Sequence, residues 1–348
     1  MSTKTYFSIL KGIDKEFNEL KTKYSSENKS PKTLKSLKTL LEKEFPEPEF
    51  IIDGLLPEGL TLLVGLPKTG KSFLALHIGL AVASGGVALG YFGCKQRNVL
   101  YLALEDTERR LQMRAKELLR GSEAPKNFYW ETSLRKFIDD SGQLVLERLI
   151  KVIHEQKIEF LIIDTLARIV NTNGRKGGNV YLEEYKMVEP LADLYKNENV
   201  SVLVIHHRRK TESDEDWTLD FSGSTGITAV ADTLIRFKRS RGEKKAELKI
   251  TGRDLVNDIE MALEWDDEIG FYKYIGDLDA VVESEHSKEI LAYLKGVGEA
   301  KFSDIVGILG IQKQQVLTYL ARLEAKGLIK RLNRGFYSIT DKGKETKW

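Results

Sequence analysis

The chain has 348 residues, of which 41% are hydrophobic and 30% charged, with a formal net charge of +2. This composition fits a soluble globular protein, not a disordered or membrane one, and no apolar run reaches the ~18–20 residues of a membrane span. One cysteine, Cys94, excludes a disulfide within the chain, and the polar start at Met1–Thr5 does not read as a secretory signal, so a cytoplasmic, non-membrane protein is expected. Charge is uneven. Residues 1–45 hold 10 Lys against 6 acidic residues, and residues 286–348 hold 12 Lys and Arg against 6 acidic ones, around a net-acidic middle. Basic ends suit a polyanionic partner, or are solvated surface lysine.

The first 49 residues read as a helical segment. Tyr6, Ile9, Ile13, Phe17, Leu20 and Tyr24 recur at helical spacing. Ser30 and Pro31 then open a second helix carrying Leu34, Leu37, Leu41 and Phe45, which Pro46 and Pro48 end. Residues 50–276 change pattern. Apolar runs at Leu60–Val64, Val99–Leu104, Phe160–Ile163, Val200–Ile205 and Thr233–Phe237 alternate with helices. That alternation predicts an α/β domain with a mostly parallel sheet covered on both faces. Glu247–Ile250 and Met261–Trp265 read as added antiparallel strands.

The strongest motif is Gly65-Leu66-Pro67-Lys68-Thr69-Gly70-Lys71-Ser72, which follows one strand and opens the helix Ser72–Ala83. Its glycines allow a tight loop whose N–H groups face phosphate, and the helix dipole favours the anion. Gly65, Pro67, Lys68, Thr69 and Gly70 are expected to cradle ATP, with Lys71 on the β/γ-phosphates and Ser72 on Mg²⁺. Asp164 ends an apolar strand, where a carboxylate can hold Mg²⁺ or cap the next helix. Glu105 ends the strand Val99–Leu104 and is expected to polarise the attacking water from a strand next to the P-loop strand. Asp106 and Glu108 compete for that role, though Asp106 reads better as a helix N-cap. His206 and His207 end another strand, where His207 can sense the γ-phosphate; a pair of surface histidines is the rival reading.

Together these segments resemble RecA-like hexameric ATPases, most of all the RepA-type replicative helicases. The likeness rests on Phe50–Leu60 before the P-loop, Glu105-Asp106, Ile162-Ile163-Asp164-Thr165-Leu166, Ile205-His206-His207, and Asp220–Ser224 followed by Asp232. It implies a homo-hexamer with ATP between subunits and an arginine finger from a neighbour. Arg253 is the first candidate and Arg236 the second. It also implies that Arg175, Lys176, Arg208, Arg209 and Lys210, in two loops after catalytic strands, contact single-stranded DNA in a channel.

Residues 285–348 form a third expected domain. Helices at Ser287–Lys295, around Phe302–Leu309 and at Lys313–Lys326, followed by a hairpin turning at Asn333-Arg334-Gly335, resemble a winged helix. Lys313, Arg322, Arg331 and Arg334 then suit duplex DNA, although such modules also dock proteins. The reading is a replicative DNA helicase of a plasmid, phage or mobile element. The alternatives are an ATP-controlled DNA-binding regulator and a RecA/RadA-like recombinase.

Overall fold

The structure, a computed structural model, describes residues 36–45, 47–137, 145–169, 180–207, 217, 225–268, 270–333 and 335–346. Most of the N-terminal segment, the candidate DNA contacts Arg175, Lys176, Arg208, Arg209 and Lys210, the stretch Asp220–Ser224, and Arg334 lie outside the described residues. Residues up to Glu47 form one unit and Pro48–Trp348 a second. In the first, α1 (Leu37–Leu41) is capped by Ser36, whose side chain accepts from the Thr39 N–H at 3.2 Å. The helix was expected to reach Phe45 but stops at Leu41. A helix leading into Pro46 cannot continue, and so short a helix is not self-supporting.

The second unit begins with the hairpin β1 (Phe50–Ile52) and β2 (Leu56–Pro57). β3 (Leu60–Gly65) follows, then α2 (Lys71–Ser84) and the small hairpin β4 (Val87–Ala88) and β5 (Phe92–Gly93). The chain continues through β6 (Val99–Ala103), α3 (Glu108–Leu119), β7 (Phe128–Glu131), α4 (Leu146–Gln156), β8 (Phe160–Asp164), α5 (Leu166–Ile169), α6 (Val180–Glu198), β9 (Ser201–His207), α7 (Thr225–Val230) and β10 (Thr233–Lys238). β11 (Lys245–Gly252), β12 (Ile259–Asp266) and β13 (Phe271–Asp277) complete one nine-stranded sheet, ordered β7-β6-β8-β9-β3-β10-β11-β12-β13. The first six strands in that order are parallel and the last three antiparallel. β7 and β13 escaped the sequence reading: Phe128–Glu131 is a half-buried edge strand, and Phe271–Asp277 mixes aromatic with charged residues.

Alternation along each strand divides the core into two faces. Leu63, Tyr101, Ile162, Leu203 and Ile205 pack with α2 on one side. Leu60, Leu62, Leu100, Leu161 and Val204 pack with residues of α4, α6 and α7 on the other. α2 is apolar all round because it is buried on most of its circumference, not on one stripe. Each fully buried leucine there contributes roughly 2 kcal/mol. The start of β3 is fixed by Arg97, 7% exposed, whose Nη2 donates to Glu49 Oε2 at 3.1 Å and Glu58 Oε1 at 2.5 Å. Tyr195 on α6 donates to the other Glu58 oxygen at 3.1 Å, so that buried charge is paired and bonded.

β13 runs straight into α8 (Leu278–Val297), with Asp277 as N-cap. A boundary between residues 276 and 285 was expected. Instead the helix is continuous, packs on β12 and β13 at its start, and enters the C-terminal lobe at its end. That lobe contains β14 (Glu299–Lys301), α9 (Phe302–Leu309), α10 (Lys313–Ala325), β15 (Ile329–Asn333), β16 (Phe336–Ile339) and α11 (Asp341–Glu345). Its sheet is ordered β14-β16-β15, and Ile290, Leu294, Ile305, Val316, Leu320 and Tyr337 fill its core.

Candidate active site

β3 lies between β9 and β10 in the sheet, and its C-terminal end turns through Gly65–Gly70 into α2. Two glycines make that turn possible. A Cβ on Gly65 would stand 2.3 Å from the backbone oxygen of Phe237. Gly70 has φ +107°, and a Cβ there would stand 2.9 Å from Tyr272 Oη. Tyr272, on β13, supports the loop: its hydroxyl donates to the Thr69 carbonyl at 3.3 Å and accepts from Arg239 Nη1 at 2.7 Å.

Lys71 is 3% exposed, and its Nζ donates to the carbonyls of Gly65 at 2.8 Å and Leu66 at 2.6 Å. Burial pushes its ammonium down to about 8, against the pull of Asp164 and Glu105. The adjoining pocket, about 470 Å³, is lined by Lys68, Lys71, Ser72, Arg114, His207 and Arg239, with Phe73, Trp265 and Tyr272 in its wall. Among the described residues, four lysines and arginines and no carboxylate line it, which fits a polyphosphate.

Asp164 ends β8 and is 2% exposed. Tyr101 donates to its Oδ2 at 2.9 Å, while Oδ1 is buried without a hydrogen-bond partner. Burial raises this carboxyl above its usual range, and the Ser72 and Tyr101 hydroxyls pull it back. An orphaned buried oxygen beside the Ser72 hydroxyl fits a divalent cation.

Glu105 was expected on a strand next to β3. The sheet order places β8 and β9 between β6 and β3. The motifs identify strands but not their order, and Glu105 comes near the pocket only because it sits in the turn past β6. Leu104 N–H donates across to the Asp164 carbonyl at 2.7 Å. The Glu105 carboxylate receives the Thr165 hydroxyl at 3.1 Å, with His207 Nε2 at 3.5 Å and Arg168 Nε at 3.9 Å. Asp106 is not the helix cap. Thr107 caps α3, accepting from the Arg110 N–H at 3.3 Å, and Asp106 is taken up by Arg110 at 3.1 Å and Arg114 at 2.5 Å. Glu108 lines a separate apolar pocket between α2, α3 and β7. Glu105 is therefore the one of the three that faces His207.

The two histidines part company. His206 is half-buried, and burial, then the charges of His207 and Lys71, push it down to about 4. His207 is half-buried and lines the pocket. The two finger candidates differ as well. Arg236 is 5% exposed, with Glu247 at 3.5 Å and the Trp217 ring 5.9 Å away, so its own chain encloses it. Sequence could not show this, because a cation in an apolar strand looks the same on either face. Arg253 is exposed, at the edge where β3 begins, and donates to Asp232 Oδ1 at 2.9 Å and the Ala229 carbonyl at 3.2 Å. Asp232 Oδ2 also accepts from the Leu60 N–H at 2.9 Å, tying Arg253 to the start of the P-loop strand. In the C-terminal lobe Lys313 and Arg331 are exposed, whereas Arg322 is ion-paired with Glu283 of α8.

Sequence reasoning missed Tyr101, Thr165, Arg168, Arg114, Arg239 and Tyr272. Thr165 had a signal, since it directly follows Asp164. The others reach the site only through sheet order and helix placement.

A parallel sheet with a phosphate loop after its central strand, a buried carboxylate ending β8 and a glutamate past β6 define a RecA-like P-loop ATPase. The AAA domain family matches residues 27–213. The chain belongs to that family and is an ATP-hydrolysing enzyme. No curated protein matches the sequence. Among the solved structures similar to it are the following three. One, described as an ATPase domain, is 13% identical, with TM-score 0.46, over 63% of this chain and 85% of that one. The KaiC-like protein PH0186 from Pyrococcus horikoshii OT3 is 16% identical, with TM-score 0.42, over 66% and 96%. A DnaB-like replicative helicase, described with its interactions with primase, is 13% identical, with TM-score 0.48, over 78% and 75%. No helix among the described residues is long and apolar enough to cross a membrane.

Proposed function

We propose that the chain is a DNA-dependent motor, a ring-forming replicative DNA helicase of a plasmid, phage or mobile element that works as a homo-hexamer in the cytoplasm. The observation that carries this reading is the approach of His207 to Glu105, 3.5 Å apart. His207 ends β9, directly before the basic run Arg208-Arg209-Lys210. A group that meets both the hydrolytic carboxylate and the root of a basic loop can couple phosphate release to a grip on DNA, provided its contacts differ between the two states.

In this reading the P-loop amides and Lys71 bind the phosphates, Lys71 exchanging the Gly65 and Leu66 carbonyls for β/γ-oxygens. Ser72 and Asp164 would hold Mg²⁺, which would neutralise phosphate charge. Glu105 orients the attacking water and takes up its proton. Arg253 serves a neighbouring subunit as the finger. Arg175, Lys176, Arg208, Arg209 and Lys210 contact single-stranded DNA. The C-terminal lobe, residues 285–348 with the end of α8, acts as a winged helix, with Lys313, Arg322, Arg331 and Arg334 on duplex DNA.

The test is ATPase turnover with and without single-stranded DNA, duplex DNA and RNA, beside Glu105→Gln, with assembly state read in the same samples. Stimulation by single strands on a closed ring, lost in Glu105→Gln, is the expected result. Slow turnover indifferent to single strands, with tight binding to one duplex sequence, overturns the motor and favours an ATP-controlled regulator. Filament formation with strand pairing favours a recombinase.

A further inference from the structure

We propose that Thr165 is a positioning residue for ATP hydrolysis, holding the Glu105 carboxylate in place for its water. The proposal rests on the assignment of Glu105 as the base. Glu105 is a long, flexible side chain, 38% exposed, on a turn with no regular structure to fix it. Left alone it would sample solvent-facing rotamers, and about an ångström of misplacement can cost on the order of 100-fold in rate.

Among the described residues three side chains reach the carboxylate, and their geometries rank them. Arg168 stands 3.9 Å away and is 58% exposed, an arrangement worth little. His207 stands at 3.5 Å, at the outer limit of a hydrogen bond. Thr165 Oγ1 donates at 3.1 Å from a residue that is 0% exposed. It is the one donor of the three already ordered by its surroundings. Its backbone is held too: the Arg168 N–H donates to the Thr165 carbonyl at 3.0 Å, and the preceding Asp164 carbonyl accepts from Leu104 N–H at 2.7 Å. That second bond joins the base of the Glu105 turn to the end of β8. Two consecutive residues thus serve two halves of the chemistry. Asp164 offers its free oxygen to the cation site beside Ser72, and Thr165 offers its hydroxyl to the base.

The test compares Thr165→Val, which keeps the shape and removes the hydroxyl, with Thr165→Ser, which keeps the hydroxyl. Turnover, KM for ATP, affinity for a fluorescent ATP analogue and thermal midpoint are measured on each full-length variant. Loss of one hydrogen bond to a charged group predicts a fall in kcat of about 10- to 100-fold in the Val variant. KM and analogue affinity are expected to stay within about threefold, and Ser to restore turnover to within about threefold of the parent, because only the transition-state term is touched. Parental turnover in Thr165→Val overturns the proposal. So does a Ser variant as slow as Val, or a fall in turnover matched by lost analogue binding, since each marks a packing role. If Val fails to fold, Thr165→Ala takes its place against Ser. Glu105→Gln separates the two layers: if it keeps parental turnover, the base assignment fails and this proposal with it. If Glu105→Gln is inactive while Thr165→Val is fully active, only this proposal fails.

Discussion

The ATPase sheet and the C-terminal lobe handle polar groups in opposite ways. In the sheet Thr69, Lys71, Arg97, Asp164, Thr165 and Arg236 are all buried, and most are wired by short bonds around β3, β6, β8 and β9. In the lobe the buried polar groups among the described residues are Ser287 and Ser338. Its described cations stand on the surface or, like Arg322, lean on an acidic neighbour. A buried polar group costs free energy unless it is partnered, so its position is set by the fold and its chemistry can be argued from geometry. An exposed cation is under no such constraint and looks the same whether or not it binds anything. α8 spans both regions, with Glu285 ion-paired to Lys245 of β11 and Glu283 to Arg322 of α10.

Lys71→Met breaks this contrast most strongly. ATP hydrolysis is expected to fall by about 10³-fold or more, since the buried cation proposed to bind the phosphates is lost. The nucleotide-free protein should become more stable. A base whose folded value of about 8 lies below its ordinary 10.5 destabilises the fold at neutral pH, by up to roughly 3 kcal/mol. The orphaned Gly65 and Leu66 carbonyls offset part of that gain. Turnover and thermal unfolding of the same sample check both halves, and a lower midpoint would contradict the buried-charge account.

Acid should separate the two regions next. His77 is buried, stacks on Phe271 and accepts the Leu89 N–H at 3.0 Å, and burial holds it at about 4. Its folded value is depressed, so the unfolded chain takes up the proton first as pH falls below 6.5. Stability is full above 6.5 and is lost progressively down to about 4, by up to roughly 3 kcal/mol for this residue. Denaturant midpoints across that range are expected to show a shallower slope in His77→Gln, which can accept the same N–H but cannot be protonated.

Effects in the lobe should be smaller and confined to binding. Lys313→Ala with Arg331→Ala is expected to weaken duplex DNA binding by roughly 3- to 10-fold per residue and to reduce the salt dependence by about one per lost phosphate contact. DNA-free ATPase should not change, and a salt titration checks both. Smallest of all is the Glu283–Arg322 pair. Glu283→Gln should cost about 0–1 kcal/mol in stability. If Arg322 contacts duplex DNA, freeing it raises affinity in a binding titration, whereas unchanged affinity removes Arg322 from the interface.

Legibility along the chain follows the same division. The P-loop was readable from its glycine, lysine and serine spacing after a strand, and the ends of β8 and β9 because an apolar run ending in a polar residue marks a strand tip. β7 was hidden because it is a four-residue edge strand, and β13 because Lys273 and Asp277 interrupt its apolar residues. Thr165 stood in a quoted motif without a role, because a hydroxyl becomes a donor to a particular acceptor only when the acceptor's strand is placed beside it.

What the amino-acid sequence by itself determined was local: which segments are strands, where the phosphate loop lies, and which carboxylates and histidines end the strands. Those properties depend on periodicity and on the backbone demands of a tight glycine turn. What only the tertiary structure decided was which tips meet. It put β8 and β9 between the P-loop strand and the Glu105 strand, brought Tyr272 and Arg239 under the loop, enclosed Arg236 while leaving Arg253 exposed, and ran α8 unbroken from the sheet into the lobe. Strand order and helix packing are settled by the burial of whole faces, and no local run of residues encodes them.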